Sequence, residues 1–132
     1  MTIQLSDTVR NAQLDSLETA IGATAVLKIR TGAQPATVAT ADSGSVLVTM
    51  TLPSDWMNAA SGGTKTKLGT WSASAGSSGT AGHFRIYASD GTTPHFQGAV
   101  AVSASDLNLD NTSINSGQTV TISTFTLTAG NP

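Results

Sequence analysis

The sequence predicts a mainly β single domain: an antiparallel β-sandwich or jelly-roll-like body, residues 25–129, behind one short N-terminal α-helix, residues 6–22. Three observations predict it. Apolar residues near the start recur at helical spacing and stop at a glycine. Beyond that glycine the period changes to two, in short β-branched runs bounded by Gly, Pro, Asn and Asp. The whole chain has 132 residues, the size of one domain able to bury its own core.

In order, Val9, Leu14, Leu17 and Ile21 form the helical stripe, with Ser6 or Asp7 as the cap and Gly22 as the stop, so a helix is predicted over Asp7–Ile21. Val26-Leu27-Lys28-Ile29-Arg30-Thr31 and residues 45–52 read as strands, joined by a turn at residues 31–36 and a small-residue loop over 37–44 with too little bulk to fill a core. Residues 58–82 are dominated by Gly, Ser, Thr and Ala. Within them residues 67–73 read as one strand between two loops, and Ser61-Gly62-Gly63-Thr64-Lys65-Thr66 as a mobile surface loop. Residues 83–88 and 94–100 flank Ser89-Asp90-Gly91-Thr92-Thr93 and predict a hairpin. Alternation there sends Phe84, Ile86 and Phe96 to the core, leaving His83, Arg85, Tyr87 and His95 on a solvated face. The last strand alternates Val120 and Ile122, then after a change of spacing Phe125 and Leu127, with threonines and Ser123. Six strands in all are expected.

Charged residues make up only 11% of the chain and the formal net charge is −2. Six Lys and Arg cannot neutralise a run of phosphates or hold an anionic membrane, so neither nucleic acid nor a membrane is an expected partner. There is no cysteine, hence no disulfide framework, thiol nucleophile or thiolate metal site. The opening MTIQLSDTVR lacks the basic start and apolar stretch of a secretory signal, which makes a soluble cytoplasmic product the expectation.

Acid–base or metal chemistry would have to start from His83 or His95, yet no Glu accompanies them, and Asp90 belongs to the turn. Asp106-Leu107-Asn108-Leu109-Asp110 places oxygen side chains at alternate positions as a calcium loop does. Asn111 and Gly117 stand where that loop needs Gly and Glu, so a short strand with Leu107 and Leu109 facing inward is expected instead. No Gly-x-Ser-x-Gly elbow or phosphate-binding glycine loop is present. No catalytic, cofactor or metal residue is therefore assigned. Trp56 and Trp71 read as core or subunit-interface residues, and Val9, Leu14, Leu17, Trp56 and Trp71 are the candidate interface set.

The segments Arg10-Asn11-Ala12-Gln13-Leu14-Asp15, Ile29-Arg30-Thr31-Gly32-Ala33-Gln34-Pro35-Ala36, Phe84-Arg85-Ile86, Asp106-Leu107-Asn108-Leu109-Asp110 and Gly117-Gln118-Thr119-Val120-Thr121-Ile122, in that order, carry a resemblance. The chain resembles small virion proteins of tailed bacteriophages, and is similar to the head decoration, or cement, proteins among them. That resemblance implies a non-enzymatic protein, made in the host cytoplasm, that sits as a homo-oligomer (dimer or trimer) on the capsid surface and ties major capsid subunits together. The alternative is a carbohydrate- or receptor-binding module of a tail or fibre, with Trp56, Trp71 or Tyr87 as stacking platforms. A hydrolase acting through His83 or His95 is a third, lesser reading.

Overall fold

The computed structural model describes residues 3–130; residues 1, 2, 131 and 132, which the predicted domain includes, lie outside them. The helix, α1 (Asp7–Ile21), has the predicted bounds. Ser6, in extended conformation, accepts a hydrogen bond from the Val9 N–H, and Gly22, at φ 93°, donates its N–H to the Glu18 carbonyl. A side-chain cap at one end and a glycine at the other satisfy main-chain groups that the helix leaves without partners.

Among the described residues ten strands follow, where six were expected: β1 (Val26–Thr31), β2 (Val46–Thr51), β3 (Thr64–Thr66), β4 (Trp71–Ser74), β5 (Gly79–Tyr87), β6 (Pro94–Ala101), β7 (Leu107–Asn108), β8 (Ser113–Ile114), β9 (Thr119–Ile122) and β10 (Thr126–Thr128). The largest sheet runs β2-β1-β5-β6-β7, with β8 also on β5, while β10–β3 and β4–β9 form separate two-stranded ribbons. Every pair is antiparallel except β6–β7. The result is the predicted β-sandwich-like, mainly β fold with one N-terminal helix.

The core is where sheet and ribbons meet. Leu27, Ile29, Val48, Met50, Phe84 and Ile86 come from one face of the large sheet, and Trp71, Val120, Ile122 and Phe125 from the ribbon side. Fully burying each such Leu, Ile or Phe contributes roughly 1.5–3 kcal/mol. An aromatic chain threads this core: Trp56 lies 6.1 Å from Trp71, Trp71 5.4 Å from Phe125, and Phe125 5.7 Å edge-on from Phe84.

Three expectations need correction. The strand expected over residues 67–73 is confined to β4 (Trp71–Ser74), and β3 (Thr64–Thr66), which belongs to a different ribbon, lies in the stretch expected as a surface loop. The last strand breaks between Ile122 and Thr126, because β9 pairs with β4 and β10 with β3. The change of spacing before Phe125 marks that switch. Finally, β5 starts at Gly79, so the small residues 79–82, which carry no hydrophobic pattern, are strand.

Candidate functional site

The far face of the large sheet is the first surprise. Alternation places His83, Arg85 and Tyr87 there, as predicted, with Arg30 across from His83, but all four are buried: Arg30 at 7%, His83 at 0%, Arg85 at 1% and Tyr87 at 0% exposure. The cover is the segment 32–44, a strap fastened by a network of polar bonds, with Pro35 of the strap buried as well. The Arg85 guanidinium donates to Asp42 Oδ1 at 2.8 Å, to the carbonyls of Thr40 (2.9 Å) and Thr37 (3.1 Å), and to Gln97 Oε1 (2.9 Å). Tyr87 donates its hydroxyl to the same Asp42 oxygen at 2.8 Å, Arg30 reaches Oδ2 at 3.0 Å, and Gln97 Nε2 donates to the Pro35 carbonyl. Burial pushes the Asp42 carboxyl up, but Tyr87, Arg85 and Arg30 together outweigh it and hold the group below its ordinary value. At the entry to the strap, Gly82 is the extra residue of a β-bulge, and a Cβ there would run into the Gly32 backbone. That close approach lets His83 Nδ1 sit 2.8 Å from the Gly32 carbonyl, while its Nε2 is buried without a partner.

A second polar hub fastens the helix. Lys65, predicted to lie in a mobile loop, is only 2% exposed and sits on β3 between Asp15 (2.7 Å) and Glu18 (3.1 Å). Burial lowers the Lys65 pKa, but hydrogen bonds from the ammonium to both carboxylates raise it more, so the ammonium is retained. The hydrogen bond from Lys65 leads the causes that hold Asp15 low. The carboxylates also accept main-chain N–H groups, Asp15 from Ala60 and Glu18 from Met57. Asn11 accepts from Gly63, whose φ of +76° suits glycine and whose missing Cβ leaves room for the Arg10 guanidinium. Arg10 in turn donates to the Ala129 carbonyl. The helix thus docks through these polar bonds as well as through its buried Leu14 and Ile21. A shallow cleft of about 470 Å³ beside it is lined by Asp15, Glu18, Asp55 and Lys65, and all of these but Asp55 are already paired within the chain.

The third feature is a groove of about 370 Å³ between β6 and β10, with Phe84, Phe96 and Phe125 as its floor and Asp106 at its rim. Phe96 stacks on Phe125 at 6.3 Å, so the aromatic chain of the core surfaces here.

The candidate interface set divides. Val9 and Leu17 are exposed, at 45% and 39%, and remain available to a partner. Leu14 packs inward, at 4%. Trp56 and Trp71, at 0% and 1%, are core, each with its indole N–H on a main-chain carbonyl, Gly22 and Leu68 respectively. The proposed stacking platforms Trp56, Trp71 and Tyr87 therefore present no ring face to a ligand. The expected solvated face is corrected in the same way: of its four residues only His95 is exposed, at a bulge beside Tyr87 rather than paired with it. Leu107 and Leu109 do face inward, and Asp106 accepts the Ala99 N–H. Among the described residues no three of His, Asp and Glu converge as a metal-binding group. The sequence signal missed was Asp42, the sole carboxylate between Glu18 and Asp55, standing alone in a neutral loop opposite two strand arginines.

The chain matches no protein-family model, no curated protein and no solved structure.

Proposed function

We propose that this chain is a non-enzymatic virion structural protein of a tailed phage, a decoration protein that binds the outer surface of the major capsid shell as a small homo-oligomer and stabilises it. One observation supports the reading above the others: each of the six Lys and Arg is committed to a partner within the chain. Arg30, Lys65 and Arg85 are buried in ion pairs. Arg10 bonds the Ala129 carbonyl, and Lys28 and Lys67 lie over the Tyr87 and Trp71 rings. What faces outward is Ser, Thr and Ala on a stiff β scaffold, with a few carboxylates. Such a surface gives no electrostatic reach for nucleic acid and little repulsion between copies packed at high density. It also loses little on desolvation when pressed against a protein shell.

A domain of this size offers only a modest patch to any one subunit, whereas specific stable interfaces need about 1,200 Å² in total. Gripping several subunits as an oligomer raises apparent affinity roughly a hundredfold or more. The test is co-sedimentation of the purified protein with assembled phage heads, followed by heating. Saturable binding at hundreds of copies per particle with a raised disruption temperature is expected. Failure to bind heads, or a handful of copies located on the tail, would overturn the proposal.

A further inference from the structure

The groove between β6 and β10 is bounded by main chain on both sides. On β10, Phe125 accepts from Lys67 and the Ala129 N–H donates to Gly63, both toward β3. In an antiparallel ladder alternate residues point both main-chain groups the same way, so Thr126 and Thr128 present theirs to the groove. On β6 the Ala99 N–H turns away from β5 to Asp106, which makes Gln97 outward-facing by the same alternation. The Gln97 side chain is occupied by Arg85 and Pro35 on the opposite face, so its share of the groove wall is main chain. The floor between the walls is aromatic, and Phe96 and Leu127 are only partly buried there.

Asp106 is the sole charged residue lining the groove, and among the described residues it belongs to none of the ion pairs. Its position is fixed: Oδ2 accepts the Ala99 N–H at 2.9 Å, and Gly98 carries no Cβ, which would strike both the Asp106 side chain and the Phe84 ring. That leaves Oδ1 for a donor from outside. The chain's own Lys and Arg are engaged elsewhere, so a complementary cation has to come from a partner. The edge of a second sheet offers its bonds to one wall only, because its other side is already paired. A single extended segment carries main-chain groups on both of its edges, and its side chains alternate, so one set rests on the floor.

We propose that the groove takes one extended segment of the major capsid protein as an added strand, with an apolar side chain on the floor of Phe96 and Phe125 and a Lys or Arg at the Asp106 end. The proposal rests on the reading of this chain as a shell-binding protein and names the surface that does the binding. One ion pair at an exposed rim adds little affinity, so the carboxylate sets the direction of the segment while main chain and floor hold it. The experiment is binding of wild type, Thr128→Pro and Asp106→Lys to purified phage heads, with hydrogen exchange of main-chain amides in the free and the bound protein. T128P deletes an edge N–H that β3 does not use, and should weaken binding about fivefold. D106K reverses the charge at the rim and should weaken it about threefold. Melting temperatures show that each variant is folded. The Gln97, Thr126 and Thr128 amides should exchange freely in the isolated protein and become protected on heads. Heads that bind wild type while those amides still exchange freely, or that bind both folded variants as tightly as wild type, overturn the groove proposal and leave the shell-binding reading standing. Heads that bind no protein overturn both. If T128P does not fold, D106K and amide exchange carry the decision.

Discussion

The helix and the strap are both fastened by a buried cation, but by different chemistry. Lys65 is a point charge with short bonds to two carboxylates, and those carboxylates do the wider work by accepting main-chain N–H groups from residues 57 and 60. Arg85 is itself the distributor: its planar fork reaches one carboxylate, one amide and two strap carbonyls. Removing the lysine leaves carboxylates that are 47% and 20% exposed and can rehydrate. Removing the arginine takes the shared donor from two strap carbonyls and the Gln97 amide, while Asp42, 38% exposed, keeps only Arg30 and Tyr87. The lysine hub is therefore a single-point clamp, whereas the arginine hub holds the strap together with Arg30, Tyr87 and Gln97.

The largest effect should come from Arg85→Ala, which costs about 1.5–3 kcal/mol, the range for hydrogen bonds to a charged group, because Arg85 is buried while its partner Asp42 is partly exposed. Urea unfolding would measure it, and limited proteolysis should cut within residues 32–44 while the helix stays docked. Arg85→Lys should recover little, since an ammonium cannot span the same four acceptors.

Lys65→Met comes next, with a loss of about 1–2 kcal/mol. Its signature is different: Trp56, whose indole N–H bonds the Gly22 carbonyl at the helix end, should shift its fluorescence to the red, whereas R85A leaves it unmoved.

Titration sharpens the contrast further. The Lys65 and Tyr87 pKa values are both raised by folding, so their contributions are complete below about pH 10 and are lost as pH rises through the folded values. Tyr87→Phe should remove the alkaline loss at the strap and leave that at the helix, read as proteolysis against Trp56 emission. On the acid side Asp42 and Asp15 are both depressed, so both fastenings persist down to about pH 4 and weaken together below it.

The smallest pair of effects separates the histidines. His83→Gln should cost about 1 kcal/mol by disturbing the bond to Gly32, and His95→Gln, at an exposed bulge, close to nothing, both read by thermal melting.

What could be read in the sequence was what is decided locally. The helix has its bounds because Ser6, the apolar spacing and Gly22 lie within one short segment, and the sidedness of Phe84, Ile86 and Phe96 follows from the pleat. What covers a face is decided at long range. Asp42 meets Arg85 across 43 residues and Lys65 meets Asp15 across 50, and most of the strap's fastening uses main-chain carbonyls, which every residue carries. The two tryptophans were ambiguous for a related reason: large aromatics suit cores and interfaces alike, and only the packing of Trp56 on Trp71 on Phe125 decides between them.

The account's central claim is that all six cations are engaged within the molecule, leaving a surface with few charges and no cationic patch that recognises a shell by fit. Binding of labelled protein to purified phage heads, titrated between about 50 mM and about 500 mM salt, tests it most directly. The account predicts saturable binding whose affinity changes by less than about twofold across that range. Affinity that falls steeply with salt, or no binding at any concentration of salt, would contradict it.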